Sequence, residues 1–227
     1  MATDLADEAS LRDTLTNQLA TAQVGDVLDK LGYHHQFLPP GLLPLQPGRK
    51  LVGRAMTVLQ EDRPTPTNQP GDKPFGRLFE ALDDLKEGEV YLATGNTSPH
   101  YALFGGLMAT RAQHLKAAGA VLDGYVRDAG EIEDLGFTVF SRGLYAQDQG
   151  ARGKVTRWRC AVTIGDVEVQ SGDMVFADRE GVLIIPQDVE GEVVRAAVEK
   201  AGTENQIAKA VGEGMSASAA FEKFAVF

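Results

Sequence analysis

Apolar residues recur at helical spacing near both ends of the chain and at strand spacing through its middle. Between residues 8 and 31, Leu11, Leu15, Leu19, Val24, Val27, Leu28 and Leu31 form the stripe of an amphipathic helix. Thr21 or Asp26 is placed to cap a second short helix within that stretch. Residues 36–50 hold four prolines and two glycines and read as an extended surface loop. LVGRAMTVL, which begins at Leu51, is rich in strand-forming residues and predicts a strand.

Residues 61–77, EDRPTPTNQPGDKPFGR, are proline-rich and polar, which suggests a mobile excursion that serves as a lid over a site. A helix is expected over 75–85, stopped by Gly88, followed by the strand EVYLATG. A helix from Leu107 to Ala118, the strand AVLDGYVRD, a turn holding Glu131, Glu133 and Asp134, and the strand FTVFSRG come next. From Lys154 to Ile185 the pattern becomes β-rich: VTRWRCAVTI, VEVQ, DMVFAD and VLIIP. These runs are separated by Gly165-Asp166, Gly172-Asp173 and Glu180-Gly181, pairs that favour hairpins. The tail, 187–224, is helical with a break near Gly212–Gly214. With no internal repeat and no linker, the pattern predicts one mixed α/β domain, with β-α-β units first and antiparallel strands after.

Composition narrows the class. A length of 227 residues suits one large domain, and a formal net charge of −10 argues against a general nucleic-acid binder. The local exception, Arg152, Lys154, Arg157 and Arg159, reads first as a solvated strand or an intersubunit patch, and second as a polyanion site. No apolar run approaches the roughly 18 residues of a bilayer span. The polar, acidic start and the single cysteine, Cys160, predict a cytoplasmic protein without disulfides.

Candidate chemistry concentrates in FGGLMATRAQHLKAAGAVLDGYVRD, residues 104–128. Gly105 and Gly106 open a helix whose first amides, through Leu107 and Met108, are donors suited to a carboxylate. Arg127 is placed to hold a substrate carboxylate, and Asp128 a divalent cation. The plainer readings are an ion pair of Arg127 with the Glu131–Asp134 turn and an Asp128 that caps the following amides. Asp123, four residues before Arg127, is a candidate to orient it, and His100 a candidate to enter the pocket. His34 and His35 show no metal-ligand spacing, and Cys160 reads as a core residue.

LVGRAMTV at 51–58, FGGLMATRA with GAVLDGYVRD at 104–128, TVFSRG at 138–143 and VQSGDMVFADREGVLIIP at 169–186 together resemble a known family. It is named for the regulator of ribonuclease activity A (RraA) and includes the class II 4-hydroxy-4-methyl-2-oxoglutarate aldolases. The C-terminal ENQIAKAVGEGMSASAAFEKFAVF is similar to the family's ending, and the likeness runs from about Gly25 onward. The resemblance implies an α/β fold of the swivelling β/β/α type over the whole chain. It also implies a trimer or dimer of trimers with sites at subunit interfaces, and Mg²⁺ or Mn²⁺ as cofactor. The family's motif is an acidic residue, twenty positions, then Arg-Asp. Here Arg127-Asp128 matches, but the acidic position is Gly106; Glu61 and Asp62 are candidates to fill that space. Glu204 matches a glutamate that in the aldolases comes from a neighbouring subunit toward the metal. The function implied is a metal-dependent lyase on a 2-oxo acid, by oxaloacetate-type decarboxylation or pyruvate-yielding aldol cleavage. A regulatory binding protein and a sugar-acid enzyme on the same metal site are the alternatives.

Overall fold

The computed structural model describes residues 7–65, 74–95 and 100–224. They group into two compact units, one joining Met1–His34 to Val189–Phe227 and the other formed by His35–Asp188. The chain starts with α1 (Glu8–Gln18), whose first turn is capped by Asp7 accepting from the Ser10 amide at 2.8 Å. Next is α2 (Thr21–Lys30), where the Gln23 side chain takes the Ala20 amide at 3.0 Å. The break therefore falls at Leu19-Ala20. Thr21 is the first helical residue and Asp26 sits inside the helix, so neither is the cap.

The second unit holds, in order, β1 (Leu43–Pro44), β2 (Leu51–Asp62), β3 (Phe75–Gly76), α3 (Leu78–Asp83), β4 (Glu89–Thr94) and β5 (Ala102–Phe104). Then come α4 (Gly106–His114), β6 (Gly119–Val126), α5 (Ala129–Leu135) and β7 (Val139–Leu144). The closing strands are β8 (Gly153–Trp158), β9 (Val162–Ile164), β10 (Val167–Val169), β11 (Met174–Asp178) and β12 (Gly181–Ile185). The sheet runs β1-β7-β6-β4-β2-β11-β12. Within it β2, β4, β6 and β7 are mutually parallel, while β11 and β12 continue it antiparallel. The connections between these parallel strands pass through α3, α4 and α5, as parallel pairing requires. The expected mixed sheet of parallel and antiparallel strands is present.

Strand β2 changes partner along its length. Its first half lies between β11 and β4, and its second half pairs antiparallel with β8 after a bulge at Leu59/Gln60. The two sheet faces carry separate cores. Met56, Val58, Tyr91, Leu122 and Val139 meet α3, α4 and α5 on one side. Leu51, Ala55, Val90, Leu92 and Val121 meet β9 and β10 on the other. Consecutive β2 residues thus serve opposite cores, which explains its nearly unbroken apolar run.

Three elements differ from the sequence pattern. The expected helix over 75–85 shortens to α3, because Phe75 and Gly76 pair with β8 at positive φ (67° and 62°). The expected strand 155–164 splits at Arg159, also at positive φ (51°). Gly172-Asp173 makes no hairpin, since β10 pairs with β9 while β11 pairs with β2 and β12. Of the expected lid, residues 66–73 lie outside the described residues.

The chain ends with α6 (Glu190–Gly212) and α7 (Ala217–Phe224), separated at Gly214 (φ 105°) close to where the glycines predict a break. In the first unit α6 packs on α1, α2 and α7. Lys200 of α6 reaches Asp26 of α2 at 2.8 Å.

The split at Arg159 has an electrostatic cause. Its guanidinium bonds Asp84 at 2.6 Å and Glu89 at 2.7 Å, and the Trp158 indole N–H donates to Asp84 at 2.9 Å. Arg159, then Trp158 and Lys86, hold the Asp84 carboxyl well below its ordinary value of 3.8. A depressed carboxyl contributes stability in full above its unfolded value and loses it as pH falls toward the folded one. Arg159→Met should therefore lower Tm at neutral pH and flatten its decline between about pH 4 and pH 2. Parallel melting curves for the two proteins across that window would refute the clamp. Gly95→Ala tests the β2–β4 contact: a Cβ there would collide with the Gln60 carbonyl oxygen. Thermal melting should show a loss of at least about 2 kcal/mol.

Candidate functional site

Parallel strands release their chains at one edge, and in open α/β sheets ligands bind there. At that edge β5 runs into the start of α4, and β6 runs into the Arg127-Asp128 turn. The Arg127 amide donates to the Phe104 carbonyl at 3.0 Å, which fastens the two segments together.

Asp128 adopts the left-handed conformation (φ 57°, ψ 39°) at the N-cap of α5, yet its side chain caps nothing there. Its Oδ2 instead accepts the Gly106 amide at 3.0 Å. The reading of Asp128 as the cap of its own helix is therefore excluded. The carboxylate is directed at the helix start that the glycine pair opens. A Cβ on Gly105 would come within 2.7 Å of Asp128 Oδ2, so glycine is what permits the approach. At the start of α4 the Ala109 amide donates to the Gly105 carbonyl at 3.0 Å. Ahead of it the amides of Leu107 and Met108 are donors that the helix itself cannot satisfy.

Arg127 does not pair with the Glu131–Asp134 turn. Its Nη1 lies 3.0 Å from Asp148 Oδ1, and its Nε lies 3.6 Å from Asp128 Oδ2. The side chains of Arg127 and Asp128 are 37% and 39% exposed, so both remain reachable by a ligand.

The most consequential neighbour of Gly106 is Glu131. A Cβ placed on Gly106 would collide with Glu131 Oε2 and lie 3.3 Å from Asp128 Cβ. The volume that a side chain at 106 would occupy is thus filled by the Glu131 carboxylate, one turn into α5. Neither Glu61 nor Asp62 plays that part: Glu61 is exposed, and Asp62 accepts the Tyr101 hydroxyl at 2.5 Å. Sequence reasoning treated Glu131 only as a turn residue. The signal that finds it is its spacing of three from Asp128, which sets both carboxylates on one side of a helix start.

Asp148 and Gln149 were also missed. Together with Arg127 and Asp128 they form the polar side of a cleft of about 220 Å³. Its apolar side is made by Phe75, Leu78, Phe79, Leu107 and Met108. The volume suits a small organic acid and falls below the usual range for drug-sized ligands.

Other expectations fall elsewhere. Asp123 accepts from Thr94 Oγ1 at 2.7 Å and from Arg142 Nε at 2.6 Å, so it orients Arg142 and not Arg127. His100 is exposed and is not among the cleft's lining residues. Cys160 is half-buried against the core under β9 and β10. Glu204 belongs to the helical unit, where it accepts from Gln23 at 2.8 Å and pairs with Lys200. Burial raises its carboxyl, but the Lys200 and Gln23 hydrogen bonds outweigh that and hold it low. Among the described residues no three His, Cys, Asp or Glu side chains converge as a ready-made metal cluster. Asp128 and Glu131 offer two hard oxygen donors, which matches the one or two carboxylates of a Mg²⁺ site. No described helix is long and apolar enough to cross a membrane.

Several known proteins are similar to this chain. DlpA of Legionella pneumophila is 28% identical over 218 residues, 93% of this chain and 34% of that protein, so the chain spans about a third of its length. A Halalkalibacterium halodurans protein named "Putative 4-hydroxy-4-methyl-2-oxoglutarate aldolase" is 25% identical over 205 residues, covering 89% of this chain and 90% of that one. Among solved structures, an uncharacterized Pseudomonas syringae pv. tomato protein matches with a TM-score of 0.83 at 26% identity, over 96% of this chain and 95% of that one. The family model described as Aldolase/RraA matches residues 21–184, and the chain belongs to this RraA-like family.

Proposed function

We propose that the chain is a divalent-metal-dependent carbon–carbon lyase acting on a 2-oxo acid. The observation that carries the reading is the approach of both the Asp128 and the Glu131 carboxylates to Gly106, beside Arg127 and the open start of α4. Aldolase names among its relatives agree with that chemistry.

Each side chain then has a task. Asp128 and Glu131 hold Mg²⁺ or Mn²⁺ through oxygen, and the Gly106 amide fixes the Asp128 carboxylate. When bound, the cation supplies Lewis acidity toward a 2-oxo carboxylate and its carbonyl. Arg127 grips the substrate carboxylate, and its Asp148 partner keeps the guanidinium plane in place. The Leu107 and Met108 amides add neutral donors aimed at the same anion. Decarboxylation of an oxaloacetate-type acid asks least of these residues: the bond to the departing CO₂ breaks and no hydroxyl must be deprotonated. Aldol cleavage needs in addition a proton acceptor for the hydroxyl. The oligomer that belongs with this reading is a trimer or a dimer of trimers.

Mg²⁺ or Mn²⁺ should raise Tm, by about 2.7 kcal/mol in stability at a hundredfold excess over Kd. Asp128→Ala should abolish that shift, and Glu131→Gln should weaken it. Arg127→Met should keep the metal shift while kcat/KM for pyruvate release from 2-oxo acids falls by about 10² or more. No metal shift together with no turnover of oxaloacetate would overturn the lyase reading in favour of a regulatory binding protein. A metal shift with turnover confined to sugar acids would place the reaction elsewhere on the same site.

A further inference from the structure

The polar side of the cleft is asymmetric. Among its described lining residues Arg127 is the one cation, and it already faces Asp128 and Asp148. A substrate's first carboxylate can be met by Arg127. A second would meet acidic groups or the apolar wall of Phe75, Leu78 and Phe79. An unpaired carboxylate taken out of water into such surroundings is strongly disfavoured.

The apolar wall is built at a conformational cost. Phe75 is a bulky residue held at φ 67°, a region such side chains rarely enter. Of the four described non-glycine residues at positive φ, two, Phe75 and Asp128, line this cleft. Strained residues of this kind persist where the surroundings force them and cluster at ligand sites. The Phe75 ring is fixed edge-on to Phe79, with centroids 5.7 Å apart. It also lies so close to Gly150 that a Cβ there would come within 3.1 Å of ring carbons.

The polar side also includes Gln149. It is 3% exposed, and its Nε2 has no hydrogen-bond partner among the described residues. Buried donors are rarely left unpaired, so one that lines a cleft points to a ligand oxygen. A neutral donor suits a hydroxyl or carbonyl oxygen.

We propose that this cleft selects 4-hydroxy-2-oxo acids whose C4 substituent is apolar and uncharged. Phe75, Leu78 and Phe79 receive that substituent, and Gln149 Nε2 donates to the C4 hydroxyl. The inference rests on the aldol-cleavage form of the lyase reading above and narrows its substrate class; oxaloacetate, which carries a second carboxylate, lies outside it. In the reaction the C3–C4 bond breaks and its electron pair remains on C3. The C4 hydroxyl releases its proton to water and becomes the carbonyl of an apolar aldehyde. C3 takes a proton from water, and pyruvate leaves.

The test compares two acids of nearly equal size with Mn²⁺, using coupled pyruvate detection. One, 4-hydroxy-5-methyl-2-oxohexanoate, carries isopropyl at C4, and the other, 4-hydroxy-2-oxoglutarate, carries carboxylate. Wild type should prefer the isopropyl acid by at least about tenfold in kcat/KM, the scale of a hydrophobic pocket's discrimination. Phe79→Arg, at a 60% exposed position, should move that ratio toward the carboxylate acid by a similar factor. Gln149→Leu should raise KM for both acids several-fold without lowering Tm, since it deletes an unpaired buried donor. Equal turnover of the two acids, or preference for the carboxylate acid, would overturn the proposal and leave the lyase reading standing. Turnover of neither acid would also overturn the proposal, and if oxaloacetate is likewise left intact and Mn²⁺ does not shift Tm, the lyase reading itself falls. A Phe79→Arg variant with unchanged selectivity but an altered oligomeric state by light scattering would assign that wall to an interface between copies and refute its role in selection.

Discussion

The hydrogen bond from the Gly106 amide to Asp128 Oδ2 ties the start of α4 to the end of β6, and the site depends on it. It exists only because three backbone conditions hold together. Gly105 and Gly106 carry no side chain where Asp128 and Glu131 approach, and Asp128 accepts the left-handed conformation that turns its carboxylate back across the strand ends. Non-glycine residues enter that region at some cost, aspartate more readily than most. The same turn places Arg127 with its amide on Phe104 and its guanidinium on Asp148. The Asp128 carboxylate, the Arg127 guanidinium and the start of α4 are thus parts of one local structure, and a change in any of the three would disturb the others.

Much of the fold was legible because the sheet is sorted by apolar pattern. Long runs such as Leu51 to Leu59 read as strands since both faces of β2 are buried, and glycines marked the ends of β6, α5 and α6. What the pattern missed was tertiary in origin. Arg159 leaves the strand because Asp84 and Glu89, about seventy positions away, hold its side chain in a left-handed turn. Phe75 leaves the helix because β8 offers its backbone a partner. Neither cause is local, so neither propensity nor spacing announces it.

At the site, Arg127, Asp128 and the glycine pair were legible because they are adjacent in sequence and their chemistry is distinctive. Asp148 and Gln149 were not, because they arrive from the loop between β7 and β8 and carry no motif. Asp123 was misassigned for a simple reason. In a strand, residues four apart share a face, but pairing across the sheet brings Arg142 of β7 nearer than sequence brings Arg127.

The glycine at 106 carries the strongest lesson about motifs. A spacing rule records where a carboxylate is attached, whereas a cation responds only to where its oxygens are. The start of α4 and the first turn of α5 face each other across the Asp128 carboxylate, so a side chain rooted on either helix can reach the same volume. An acid at 106 and Glu131 would compete for that volume, and with glycine at 106 it is filled from α5. The apparent loss of an acidic group in the sequence is therefore a change of its anchoring point in the structure.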